Sequence, residues 1–224
     1  PAPDAEGIPT ITVQPFLTAT AITENELNAM LERFVSIAAA SDISAELLPV
    51  IITDPRFAEV SSDFNDPITR ELVSMGPSNT VNIFFLDSFT GVSGASTVGI
   101  TGGIPGTQGI SSGFNGVLIN ALSTHGITDD YFIRNTAQIS FHEMGHHLGL
   151  YHTTEWDFSN NDVIDDTPDC DEDAHDTNHN GTANLSECPD ASNPMFWQVK
   201  LSQTSSVLSA DQRAVLAASP IAYP

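Results

Sequence analysis

The sequence predicts an α+β domain. Three observations carry that expectation. Short runs of β-branched and aromatic residues alternate with stretches of helical periodicity through residues 11–122. A long apolar helical stretch follows, ending near residue 148. The remainder is acidic and turn-rich until a short capped helix near the C-terminus. With 224 residues and 40% hydrophobic composition, the chain is expected to form one domain with a real core. Its expected parts are an N-terminal subdomain over about 1–149 and a C-terminal one over about 150–224.

Residues 1–22 are rich in Pro and Thr, and ITVQPFL (11–17) reads as a strand. Thr23 and Glu26 form a capping box, in which hydroxyl and carboxylate satisfy the first helical N–H groups. Behind it, Leu27, Met30, Leu31, Phe34, Val35 and Ile37 recur at helical spacing, so a helix is expected over about 24–40. LLPVIIT (47–53) reads as a buried strand, ITRELVSM (68–75) as a short helix and TVNIFFLDSF (80–89) as a strong strand. Residues 91–116, rich in Gly, Ser and Thr, read as loop with an edge strand near STVGIT (96–101). GVLINAL (116–122) is another strand. From Asp129, one helical face carries Ile133, Ala137, Phe141, Met144 and Leu148, and Ile139 adds a second apolar flank, so this helix is expected to be mostly buried. Gly149 is placed to end it in the left-handed conformation. Loop is expected to about 194, then a final helix over 209–218, capped by Ser209 with Gln212 and followed by Pro220.

The formal charge is −23, from 29 Asp and Glu against 6 Lys and Arg. Such a surface repels nucleic acid and anionic membranes and attracts divalent cations and basic peptides. Few Lys and Arg also mean few sites for trypsin-like proteases. No apolar run approaches the roughly 18 residues of a membrane span. Cys170 and Cys188, an even count in an acidic, loop-rich chain, fit one disulfide and an oxidising compartment. The expected setting is therefore extracellular, and a chain that starts at Pro1 reads as the processed form of a precursor.

The stretch HEMGHHLGLYH (142–152) holds four of the seven histidines. His142 and His146, at i and i+4, share one helix face, where two neutral imidazoles can bind one zinc ion. Glu143 lies on the neighbouring flank, near enough to reach a water there without being a ligand. Gly149 allows a sharp turn that brings His152 back to the same ion. Three imidazoles leave a fourth position open, as a catalytic zinc requires. His147 points away and reads as a surface or supporting histidine.

The pattern His142-Glu143-x-x-His146-x-x-Gly149-x-x-His152 resembles the long zinc signature of the metzincin metallopeptidases. That family also carries a methionine turn beneath the imidazoles, and Met195, in Asn193-Pro194-Met195-Phe196, is the one methionine after the motif. The resemblance implies a mixed twisted sheet, an active-site helix, a zinc cleft, a Met-turn and a C-terminal helix. Asp166-Thr167-Pro168 and a cysteine in the insertion between His152 and Met195 are similar to the pappalysin-like (cytophagalysin) branch. Thr153 follows the third histidine where other branches have Glu, Ser or Asp. Trp197 stands where a Tyr is usual, and its indole N–H is a donor only; Tyr151 is another aromatic near the site.

Residues 155–190 hold twelve of the acids, a density that repels itself unless a cation intervenes. Within it, DTNHNGTANLSE (176–187) matches the EF-hand loop pattern at Asp176, Asn178, Asn180, Gly181 and Glu187, with Thr182 offering its carbonyl. Cys188-Pro189 cannot begin a long exiting helix, so a calcium loop without the helix pair, tied off by Cys170–Cys188, is expected.

These readings imply a secreted, monomeric zinc endopeptidase acting on protein or peptide substrates, with Glu143 as general base and one or more structural calcium ions. Two other classes stay open at this stage. One is a non-catalytic calcium-dependent binding module with a structural zinc; the other is a zinc amidase acting on a small molecule.

Overall fold

The computed structural model describes residues 7–91, 97–110, 112–123, 129–199 and 207–224. Ser96 at the start of the expected edge strand, and the Gly- and Ser-rich stretch before it, lie outside the described residues. The elements are β1 (Thr10–Leu17), α1 (Glu24–Ala40), β2 (Ser44–Leu47), β3 (Ile51–Ile52), β4 (Glu59–Ser61), α2 (Pro67–Val73), β5 (Val81–Leu86), β6 (Ser88–Thr90), β7 (Gly99–Thr101), β8 (Val117–Asn120), α3 (Asp129–Leu148), α4 (Glu172–His175), α5 (Ala210–Ala217) and β9 (Ala222–Tyr223). The main sheet runs β2–β1–β5–β8–β7. β1, β2, β5 and β8 are parallel, and β7 closes one edge antiparallel to β8. β4 and β6 form a separate parallel pair.

Period-two alternation builds this sheet. Ile11 and Val13 of β1, Val81, Ile83 and Phe85 of β5, and Val117 and Ile119 of β8 join one buried cluster with Leu27, Met30, Leu31 and Phe34 of α1. The alternate residues, Phe16, Phe84, Leu86 and Leu118, join a second cluster with Leu72 and Val73 of α2. Phe16 and Phe84 stack there at 4.3 Å between ring centroids. Both faces of the central strands are covered, which is why β5 reads as an unbroken apolar run.

Two segments depart from expectation. LLPVIIT is neither one strand nor buried: β2 ends at Leu47, β3 covers only Ile51–Ile52, and Ile52 is 68% exposed. Pro49 has no N–H to give the ladder, and its carbonyl instead accepts from Gln14 Nε2 at 2.8 Å. The segment is thus a broken edge, paired to β1 in two pieces. β9 pairs antiparallel with Thr10–Ile11 of β1, and two residues are too few to leave a periodic signal.

α1 carries its capping box: Thr23 N donates to Glu26 Oε2 at 2.7 Å and Glu26 N to Thr23 Oγ1 at 3.2 Å. α5 carries one too, from Ser209 and Gln212. α3 is about 30 Å long and buries Ala137, Ile139, Phe141, Met144 and Leu148 in the first cluster. Phe141 meets Phe34 of α1 edge-on at 6.2 Å. The helix ends as expected. Gly149 has φ +113°, its N–H reaches His146 O at 3.0 Å, and Leu150 N reaches Gly145 O at 2.9 Å. Among the described residues, no helix is long and apolar enough to cross a membrane.

The chain beyond α3 returns to the same core. Met195, Leu208, Leu216 and Ile221 are buried in the first cluster. Met195 lies against Gly145, where a side chain on the helix would collide with its sulfur. Replacing Met195 by Ala therefore leaves a cavity beneath α3, and the expected loss of stability is about 2–5 kcal/mol. Urea denaturation of the two proteins checks this, and an unchanged midpoint would contradict it.

Candidate metal centre

His142 and His146 come from the last turns of α3, and His152 from the chain that Gly149 turns back. Their ligating atoms lie within 4.8 Å of one another. The Nε2 atoms of His146 and His142 are 3.0 Å apart, and those of His142 and His152 3.2 Å. The opposite ring nitrogens all point to oxygens. His142 Nδ1 donates to Pro194 O at 2.7 Å, His146 Nδ1 to Leu150 O at 2.7 Å, and His152 Nδ1 to Glu155 Oε2 at 3.1 Å. A carbonyl can only accept, so Nδ1 of His142 and of His146 carries the proton.

Burial holds His142 well below its ordinary pKa and His146 down to about 4, with the neighbouring histidines adding to both shifts. Neutral rings protonated on Nδ1 offer only lone pairs at Nε2. Such atoms cannot bond to one another, yet here they converge. A cation at their centre resolves this. Two ligands at 2.0–2.1 Å on a tetrahedral zinc lie about 3.3 Å apart, close to the spacings found. The donor set and its oxygen backing fit zinc.

Glu143 is 8% exposed, and burial pushes its carboxyl up to about 8. It lies directly on the edge strand. A Cβ added to Gly99 of β7 would fall 2.6 Å from Glu143 Cγ and 2.8 Å from its Oε1.

The Met195 turn braces the cluster from below. Its Pro194 carbonyl backs His142, and Met195 O accepts Thr153 N at 2.9 Å just after the third histidine. Asn193 fixes the turn by accepting Met195 N at 2.8 Å. Asn193 also exchanges amide bonds with Gln212, at 2.9 and 3.2 Å, so the α5 cap anchors the turn.

Three supporting aromatics and histidines find other places. His147 is not a surface residue: it is fully buried, with its Nδ1 3.2 Å from Thr101 Oγ1 and its carbonyl bonded by Gly106 N at 2.9 Å. The loop after β7 covers this side of the helix as well. Trp197 spends its indole N–H on Ala183 O at 2.7 Å. Tyr151 is exposed, and its hydroxyl donates to Ile104 O at 3.3 Å.

In the acidic insertion, Cys170 and Cys188 are joined, with S–S 2.09 Å and Cα–Cα 5.3 Å. The expected calcium loop is closed by its own bonds. Asp176 accepts from Asn180 N at 3.1 Å and Gly181 N at 2.9 Å, and Thr182 N donates to Asn180 Oδ1 at 2.9 Å. Glu187 accepts from Asn178 N and Nδ2 at 3.1 and 2.9 Å. Gly181 has φ +67°, the sharp turn expected of it.

Sequence reasoning missed Glu155, Gly99 and the Asn193–Gln212 pair. Glu155 had a readable signal, an acid three residues beyond a candidate ligand. The other two depend on contacts between distant segments.

No protein-family model matches the chain, and no curated protein matches it. Among solved structures, archaemetzincin from Methanopyrus kandleri is similar, with TM-score 0.52 and 12% identity over 92% of this chain and 93% of that one. A zinc-dependent peptidase from Methanocorpusculum labreanum reaches TM-score 0.49 at 10% identity, over 91% of this chain and 99% of that one. Metalloproteinase-II from Bacteroides fragilis also reaches 0.49, at 13% identity, over 95% of this chain and 54% of that one. At such identities the likeness is one of architecture, and it rests on the first of the three. The twisted, mostly parallel sheet with its helices is an architecture that this chain shares with archaemetzincin.

Proposed function

We propose that the protein is a zinc-dependent endopeptidase of the metzincin type. The observation that carries this reading is the convergence of three imidazole Nε2 atoms at the end of α3, with the buried Glu143 next to His142 in the chain. Among the described residues no fourth His, Cys, Asp or Glu joins the three histidines, whereas a closed structural zinc takes four protein ligands. That difference, together with Glu143, speaks against a binding module with a structural zinc.

When bound, zinc supplies Lewis acidity to the scissile carbonyl and to water. The residues do the rest. His142, His146 and His152 hold the ion, and their backing oxygens keep the rings aimed. In its ionised form Glu143 takes the proton of the attacking water and later delivers it to the leaving amine. β7, the last strand on its side of the sheet among the described residues, pairs with an extended substrate by strand addition. That edge, beside Glu143, favours a peptide over a small-molecule amide.

The finer placement belongs to the same proposal. Asp166-Thr167-Pro168 and the cysteine-bearing insertion support the pappalysin-like branch. The disulfide and the acidic, Lys-poor composition support a secreted, monomeric enzyme with one catalytic domain. Calcium is proposed for the insertion, with Asp176, Asn178, Asn180, Thr182 and Glu187 as ligands.

Elemental analysis of purified protein is expected to find one zinc per chain, and His152→Ala to lose both metal and peptidase activity. Full zinc and full activity in that variant would remove His152 from the ligand set. Glu143→Gln is expected to keep the fold and the zinc while kcat falls about 10²–10⁴-fold on a quenched-fluorescent peptide library. A near wild-type kcat would place the base elsewhere. A calcium-selective chelator is expected to lower the melting temperature with zinc still bound, since an ion at about 100 times its Kd adds about 2.7 kcal/mol. If Asp176→Ala melts like the parent with and without millimolar calcium, the 176–187 loop binds none.

A further inference from the structure

The three imidazoles are not backed alike. His142 and His146 rest on main-chain carbonyls, which the Met195 turn and the α3 cap hold in place. His152 rests on a side chain, Glu155, and both are partly open to solvent, at 24% and 34% side-chain exposure. A carboxylate on a loop can fix a ring only as well as the loop is itself fixed.

This loop is closed on several sides. Thr154 and Asn161 form a β-bridge, and Thr154 Oγ1 donates to Asn161 Oδ1 at 3.0 Å. Glu155 N donates to Asn160 O at 2.9 Å, and Phe158 N returns to Glu155 O at 3.1 Å. The next residue, Trp156, accepts Ala183 N at 2.8 Å. Ala183 in turn accepts the Trp197 indole N–H at 2.7 Å and is buried with Cys170, Cys188 and Phe196. An unbroken series of bonds and packed residues thus runs from the disulfide through Ala183 and Trp156 to Glu155, and from Glu155 to His152.

We propose that Glu155 is the positioning residue for the third zinc ligand, and that the disulfide-bonded acidic insertion holds it there. The proposal rests on the zinc reading above. The carboxylate fixes the Nδ1–H tautomer of His152, orients the ring and makes Nε2 a stronger donor. The insertion then serves the metal centre as well as carrying charge.

The test reads zinc affinity by competition with a chromogenic chelator, without reference to activity, after circular dichroism has shown that each variant is folded. Glu155→Ala is expected to weaken zinc binding about 10–100-fold. Glu155→Gln, whose amide oxygen still accepts from Nδ1, is expected to lose less. Trp197→Phe keeps an aromatic ring but drops the bond to Ala183, and is expected to weaken zinc binding in the same direction by a smaller factor. Parental affinity in Glu155→Ala would overturn the proposal. A loss in Glu155→Ala with none in Trp197→Phe would overturn the part given to the insertion. A parent chain that binds no zinc would bring down the zinc reading itself, an outcome distinct from both.

Discussion

Three imidazole Nε2 atoms aimed at one point inside a protein are the constraint around which the rest of this structure is arranged. Neutral imidazoles protonated on Nδ1 repel one another at Nε2, and burial denies His142 and His146 the protonated alternative. Their convergence stands only because each ring is held from behind. Those holds come from three separate places: the Met195 turn for His142, the Gly149 cap for His146 and the Glu155 loop for His152. Each place is fixed by a different part of the fold, so the site integrates the helix, the last helix and the acidic insertion.

The sheet serves the same end. Its central strands are covered on both faces, which leaves α3 as a rigid shelf against α1. β7, antiparallel to β8, closes the edge beside that shelf and meets Glu143 through Gly99. A side chain at Gly99 would need the very space that the carboxylate fills. The edge strand and the Glu143 carboxylate are therefore set against each other by a single glycine.

The sequence was most legible where one residue's environment is dictated by its near neighbours. Both capping boxes, the Gly149 stop, the α3 faces and the histidine spacing depend on residues within a turn or two, and each stands in the structure. Mixed parallel and antiparallel order came from the resemblance, not from periodicity. Reading failed where distant segments decide. Ile51 and Ile52 look like core, yet Pro49 breaks their strand at the sheet edge. His147 reads as a surface or supporting histidine, and the loop around Gly106, by burying it, excludes the first. Gln212 reads as a cap and is also the anchor of the Met195 turn, because Asn193 reaches it across 19 residues.

Anomalous diffraction at the zinc absorption edge tests the central claim most directly. The account predicts one strong peak at about 2.0–2.1 Å from Nε2 of His142, His146 and His152 alike, with no sulfur of Met195 in contact. Crystals grown from zinc-replete protein with no peak among these three rings, or with the peak shifted onto another ligand set, would contradict it.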